Sequence, residues 1–323
     1  MKGQIICLLA ILVAANQCVS MAAEDFESYS TGTINGQNGW TVADTWGNSP
    51  VAFDEEVMDD GTGNQVWRLS NAISSTTYSA QPFSPSTGIV AGETGSSLWN
   101  DYGTDHTSPH NPPLFGANAD VNRISATIDF KSATGATQDG LSVTLSASAK
   151  QSTVRQTYVR LEDNGTDGID VVFLDTYIDM DNSDGGGIGA DQWAGGTIAT
   201  GLSYTDWHTL KMDVEFVDGL DNSGVDVLGN DVVSIYVDGS LVHTGSTWET
   251  YYYGNELTDS PNPRLQAVDS VLFRVSSAPT DPNTVSGGGF FFDNASVAPV
   301  PEPGSFLLLT LGGLGMLLFR RRR

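Results

Sequence analysis

Apolar residues fall on alternate positions through Arg123-Ile124-Ser125-Ala126-Thr127-Ile128-Asp129-Phe130-Lys131. The same alternation runs through Leu141, Val143, Leu145 and Ala147, through Leu210, Met212, Val214 and Phe216, and through Val271, Phe273 and Val275. A period of two gives an extended chain one apolar and one polar face, the pattern of antiparallel strands lying over a core. Residues 24–298 carry no helical stripe, and Gly, Ser, Thr, Asn and Asp dominate the connections. The pattern predicts an all-β fold, an antiparallel two-sheet sandwich. With no internal repeat and no linker before Val297, it is read as one domain over residues 24–298.

One hairpin is written out in turn chemistry. Trp207-His208-Thr209-Leu210-Lys211-Met212-Asp213-Val214 precedes an acidic loop, and then Val232-Val233-Ser234-Ile235-Tyr236-Val237 leads through Asp238-Gly239 into Ser240-Leu241-Val242. Asp-Gly between two β runs suits a two-residue turn that needs positive φ. The Trp-His strand followed by the Tyr-Val-Asp-Gly hairpin resembles the concanavalin A-like lectin/glucanase jelly roll in its laminin-G-like branch. The resemblance implies a jelly-roll sandwich whose first and last strands share a sheet, here the segments Asp25-Phe26-Glu27-Ser28-Tyr29 and Phe290 to Val297. Such a fold serves many activities and does not name one.

Both ends read as targeting segments. Met1-Lys2, the apolar core Ile5 to Ala15 and the small residues around Ser20 to Ala23 have the anatomy of a secretory signal peptide over residues 1–23. Cys18 follows Asn16-Gln17, which is not a lipoprotein signal, and both cysteines, Cys7 and Cys18, fall in this segment. The exported body is therefore expected to contain no disulfide. Residues 299–323 hold Pro301-Glu302-Pro303, a 15-residue apolar stretch from Ser305 to Phe319, and Arg320, Arg321, Arg322 and Arg323. A relaxed spanning helix needs about 20 residues. The stretch is a short span whose arginines snorkel into cytoplasmic headgroups. The three parts in this order resemble the PEP-CTERM sorting signal. That resemblance implies export, retention in the membrane by the arginines, processing near Pro301-Glu302-Pro303 by an exosortase, and a destination in the cell envelope or extracellular matrix.

Charge narrows the partners. Five of the 14 basic residues and one of the 39 acidic ones lie in the targeting segments, leaving 9 against 38 and a body charge of −29. Nucleic acid is excluded as a partner, because phosphate binding needs a basic face. Some of the carboxylates are candidate Ca²⁺ ligands. Asp179, Asp181 and Asp184, in Asp179-Met180-Asp181-Asn182-Ser183-Asp184-Gly185, resemble the start of an EF-type loop, with Asp184 where the sharp-turn glycine belongs and Ala190 in place of the closing glutamate. Asp218, Asp221, Asn222, Asp226 and Asp231 form a second acidic loop. Glu24 or Glu27 with Asp293 would join the chain's ends at a structural ion, as jelly-roll binding modules often do. For each set the plain alternative is a solvated acidic loop.

Aromatic residues supply the candidate sugar sites. Trp248, Tyr251, Tyr252 and Tyr253 form one cluster, and Trp99 and Tyr102, close to His106 and His110, form another. Aromatic faces stack on sugar rings while nearby Asp, Asn and Glu accept from hydroxyls; the plain alternative is loop packing. Catalytic signals are weak. No strand reads Glu-x-Asp-x-x-Glu, Asp213-Val214-Glu215-Phe216-Val217-Asp218 has the wrong order, and Gly-x-Ser-x-Gly is absent. The reading favoured is a non-enzymatic carbohydrate-binding or matrix domain. The alternatives are a glycoside hydrolase or polysaccharide lyase on the same fold, and a purely structural surface protein.

Overall fold

The protein's structure, a computed structural model, describes residues 24–42, 52–74, 81–92, 121–149, 155–163, 165–183, 190–217, 220–221, 224, 226–251, 267–275 and 279–300. Its strands are β1 (Asp54–Asp59), β2 (Gln65–Ser70), β3 (Ala91–Gly92), β4 (Arg123–Ser132), β5 (Leu141–Ser148), β6 (Val159–Asp163), β7 (Ile169–Asp179) and β8 (Ala190–Leu202). They continue with β9 (His208–Glu215), β10 (Leu220–Asp221), β11 (Asp226–Gly229), β12 (Val232–Val237), β13 (Ser240–Gly245), β14 (Ala267–Val268), β15 (Ser270–Arg274) and β16 (Phe290–Pro299). Among the described residues helix is confined to a 3₁₀ turn at Pro282–Thr284 and a short turn over residues 249–251.

The strands build two antiparallel sheets. The first runs β1-β2-β16-β4-β9-β12-β13, and the second runs β10-β11-β7-β6-β5-β15, with β8 also pairing β7. The alternation in the sequence is the alternation of burial. In β9 His208, Leu210, Met212 and Val214 are buried and the residues between them are half-buried. Ile128, Phe130, Leu210, Val214 and Ile235 of the first sheet share one apolar core with Val143, Leu145, Leu161, Val171 and Phe273 of the second. Trp40, Trp67, Phe273 and Phe292 pack at its centre with ring centroids 4.9 to 5.6 Å apart.

The hairpin forms as its turn chemistry requires. Asp238 and Gly239 have φ of 51° and 77° between β12 and β13. The Asp238 carboxylate receives the Thr209 N–H at 2.9 Å and lies 2.9 Å from His208 Nδ1, so His208 braces the turn. The two ends of the body meet in the first sheet: Glu24 and Ala295 exchange backbone hydrogen bonds of 2.7 and 3.0 Å.

Among the described residues no helix is long and apolar enough to cross a membrane. The signal segment 1–23, Pro301-Glu302-Pro303, the apolar run before the arginines, and Arg320 to Arg323 lie outside the described residues.

Candidate functional site

The two sheets differ in what they present away from the core. The first sheet pairs its charges. Arg123 meets Glu215 at 3.6 Å, Lys131 meets Asp60 at 3.5 Å, and Lys211 meets Asp213 at 2.5 Å. Ser125 and Thr209 donate to Asp213 and Asp129 at 2.6 Å each. That face is a self-satisfied polar surface.

The second sheet carries fewer charges on its outer face, and it pairs Arg160 with Glu162. Because Val143, Leu145, Val159, Leu161, Val171, Phe173, Val271 and Phe273 face the core, the residues between them face outward. These include Arg160 and Glu162 of β6, Leu174 of β7 and Arg274 of β15, while Thr144, Ser146 and Asp170, on the same side, are buried. Register sets two arginines on either side of β5. Arg274 lies opposite Thr144, and Thr144 lies opposite Arg160, so the two guanidinium-bearing strands flank one threonine. Arg160 pairs with Glu162 at 2.7 Å, and both side chains remain partly exposed, at 33% and 25%.

Beside this row stands an aromatic group. Trp248 is 2% exposed. Tyr158 stacks parallel to it, with centroids 5.7 Å apart and planes at 8°, and the Arg155 guanidinium lies 4.7 Å from its ring centre. Its Nε1 donates to the Leu174 carbonyl at 3.1 Å. Trp193, opposite Thr176 in the β7–β8 register, meets the Trp248 edge at 5.0 Å and Tyr251 at 5.7 Å. Trp193 is 47% exposed.

This geometry corrects one expectation. Trp248 is not a sugar-stacking face, because Tyr158 and Arg155 occupy its surroundings and burial closes it off. It is the support on which Trp193 and Tyr251 rest. Tyr251 keeps its expected place in the cluster; Tyr252, Tyr253, Trp99 and Tyr102 lie outside the described residues. Sequence reasoning missed Trp193. Its signal was a lone tryptophan in Asp191-Gln192-Trp193-Ala194-Gly195-Gly196, where the small neighbours leave a large ring uncovered.

The carboxylates sort differently from the sequence grouping. Asp226 of β11 lies directly opposite Asp179 at the end of β7. Asp179, Asp181 and Asp226 then place ligand oxygens within 4.8 Å of one another, the one such grouping of three or more among the described residues. Two oxygens bound to one Ca²⁺ at about 2.4 Å can be no more than about 4.8 Å apart, so the set fits a single hard cation. Asp179 is buried and also receives the Asp181 and Ser183 N–H groups at 3.1 and 3.3 Å. Asp184 lies outside the described residues. Glu24, Glu27 and Asp293 are not gathered around one point. Glu24 accepts from the Tyr29 hydroxyl at 2.6 Å, Glu27 from the Gln65 N–H at 3.0 Å, and Asp293 from Asn64 and the Asn294 N–H at 3.0 and 2.7 Å. Burial pushes the Asp293 carboxyl above the usual range, and the charges of Asp129 and Asp25 add to the push.

Glu162 and Asp170 lie opposite each other, but Glu162 is held by Arg160 and Asp170 accepts the Gly201 N–H at 3.1 Å. The described histidines stand elsewhere: His208 at the hairpin turn, His243 against the core residue Phe173 at 4.7 Å.

Residues 299–323 match the PEP-CTERM protein-sorting motif. The chain thus carries the signal of an exported protein sorted to the cell envelope by an exosortase. A comparison with curated proteins returns no match. Among solved structures the chain is similar to an endo-β-1,4-glucuronan lyase from the fungus Trichoderma reesei, at 11% identity over 87% of this chain and 96% of that one, with a TM-score of 0.37. It is also similar to the alginate lyase Aly36B, at 10% identity over 86% and 96% with a TM-score of 0.39. The galectin LEC-6 of Caenorhabditis elegans is similar at 10% identity over 55% and 83%, with a TM-score of 0.27.

Proposed function

We propose that the chain is a non-enzymatic polysaccharide-binding protein of the cell envelope or extracellular matrix, held transiently by its C-terminal span until an exosortase processes it near Pro301-Glu302-Pro303. The observation that carries the binding reading is the exposed Trp193 ring, seated on buried Trp248 beside Tyr251, next to a polar row on the same sheet face. An exposed aromatic ring fixed from below offers a stacking platform with little entropy left to lose, and the partly exposed Arg160 and Glu162 side chains of the same sheet supply partners for hydroxyl groups. The test is binding of the full chain, in mild detergent, to an array of polysaccharides. Binding that disappears in Trp193→Ala with unchanged melting supports the reading; absence of binding to every glycan overturns it. The lyase alternative is read in the same samples: ultraviolet absorbance from an unsaturated uronate product would replace binding with catalysis.

A second reading concerns a structural ion. Asp179, Asp181 and Asp226 are the proposed Ca²⁺ ligands, supported by the burial of Asp179 and by the fit of their oxygens to one coordination sphere. The ion would neutralise carboxylates that the fold draws together where β7 meets β11.

A further inference from the structure

We propose that β8 is a docking edge for a second copy of this chain, the β8 strands of two copies pairing antiparallel about a two-fold axis and joining their second sheets into one. The observation is an open edge. β8 runs for 13 residues, Ala190–Leu202, against about five or six for an ordinary strand. Among the described residues its ladder partner is β7 alone. One side of its row of backbone N–H and C=O groups therefore has no described strand beside it, and Trp193, Ala194, Gly195, Gly196 and Thr197 are all exposed. Such a row is a template for a further strand, and native sheets commonly blunt it with charge, proline or a bulge. β8 contains no proline, and its register shifts lie opposite Ile169 to Val172, toward its C-terminal end. From Thr197, opposite Val172, back to Ala190, opposite Asp179, the register is unbroken.

Charge selects the occupant. The body carries 38 acidic residues against 9 basic ones, so two copies repel each other over most of their surface. They meet most readily where charge is absent. Residues 192–205 form a run of 14 without a charged side chain. Asp191 is the single charge of β8, and it lies near one end, so antiparallel pairing carries its two copies apart. Trp193, Thr197, Ile198 and Thr200 are residue types that favour strands. The outer strands of the first sheet suit self-pairing less well. β1 reads Asp54-Glu55-Glu56-Val57-Met58-Asp59, and its four carboxylates would meet their own copies. β13 has six residues, its register with β12 shifts, and Ser246 just after it is tied to Asp175 through its N–H and hydroxyl at 2.9 and 3.0 Å. A two-fold contact uses the same surface on both copies. An axis normal to the sheet keeps both outer faces on one side, so the two Trp193 rings, each opposite Thr176 in its own ladder, share one continuous face. The pairing does not depend on what those rings bind.

The experiment follows the mass of the full chain in mild detergent by light scattering over a concentration series, with amide hydrogen exchange read on residues 192–197. The expected result is a reversible dimer, with exchange in that segment slowing as concentration rises. Ala194→Lys and Ala194→Glu, at an exposed position, should melt like the parent and each weaken the dimer about 10-fold, because each new charge meets its own copy. An equimolar mixture of the two should associate at least as tightly as the parent. Leu241→Lys, at the 56% exposed position on β13, should change nothing. A monomer at every concentration overturns the inference. So does a dimer that both Ala194 variants leave intact, which moves the contact to the C-terminal span or another surface, and so does a dimer lost in Leu241→Lys, which moves it to β13. Opposite effects of Lys and Glu at position 194 also overturn it, because they mark a facing surface of fixed charge rather than a second β8. If the Ala194 variants melt below the parent, the exchange series on the unaltered chain decides, and protection of residues 192–197 that does not change with concentration overturns the inference.

Discussion

Arg68 shows what one residue contributes to the frame that carries the site. Its guanidinium donates to Asp54 at 2.8 Å and to the Gly288 carbonyl at 2.9 Å, and Asp54 also receives Ser70 Oγ at 2.5 Å and the Gly287 N–H at 3.0 Å. The cluster ties β1 and β2 to the loop that enters β16. Burial pushes the Asp54 carboxyl up, but Arg68, Ser70 and Gly287 outweigh it and hold it below its ordinary range. Removing one partner strands the other's charge in a nearly dry place. Arg68→Met should therefore lower stability by about 3 kcal/mol in denaturant titration, without altering glycan selectivity. The two tryptophans of the site part company at this scale as well. Trp193→Ala should remove glycan binding with a melting point near that of the parent, because the ring is 47% exposed. Trp248→Ala removes a buried ring and should cost about 3 kcal/mol, with binding lost through collapse of the platform. Equal destabilisation by the two would remove the distinction between platform and support.

The strand that presents Trp193 depends on a glycine. Gly195 has φ of +135°, and a Cβ built there would stand 2.2 Å from the Phe173 carbonyl oxygen. It lies opposite Leu174 in the β7–β8 ladder, two residues from Trp193. Gly195→Ala should force β8 away from β7, with a penalty of about 2 to 3 kcal/mol from backbone strain and loss of polysaccharide binding. Restored melting at high osmolyte without restored binding would show that the platform itself had moved; full binding in Gly195→Ala would show that β8 does not present the ring. The hairpin β12–β13 is the contrasting case. Asp238-Gly239 could be placed from the sequence because its turn is determined by two adjacent residues. The position of Trp193 depends on the register of two strands, and nothing within a few residues of it specifies that register.

Across the whole molecule acidity sets the response to pH and to ions. Asp54, Asp60 and Asp238 have carboxyls held below the ordinary value of 3.8, the first two by cationic partners and hydrogen bonds that outweigh burial, Asp238 by His208 and the Thr209 N–H in the same way. Their contribution is complete above 3.8 and is lost as pH falls through their lower folded values. Burial pushes Asp175 and Asp293 the other way. The folded state takes up those protons at higher pH than the unfolded chain does, so stability rises as pH falls from neutral through their folded values. The melting temperature should pass through a maximum on the acid side of neutrality and drop below 3.8; a monotonic fall from pH 7 downward would contradict this balance. The proposed Ca²⁺ at Asp179, Asp181 and Asp226 gives a second whole-molecule prediction. At a hundredfold excess over Kd it stabilises by about 2.7 kcal/mol, so chelator should lower the melting temperature by several degrees, and Asp226→Asn should abolish that drop. Chelator-insensitive melting would leave the acidity as solvation alone.

The alternation of apolar residues determined where β4, β5, β9 and β15 lie, because the period of two is a property of the extended chain itself. Turn chemistry determined the β12–β13 hairpin, and the order of Pro-Glu-Pro, apolar run and arginines determined the sorting signal. Composition determined that the body is acidic. Tertiary structure decided the rest, and for one reason: cross-strand neighbours are distant in sequence, and their register follows from packing. That register set Asp226 against Asp179, which the sequence had placed in separate loops. It buried Trp248 beneath an exposed Trp193. It also put Arg274 and Arg160 on either side of Thr144.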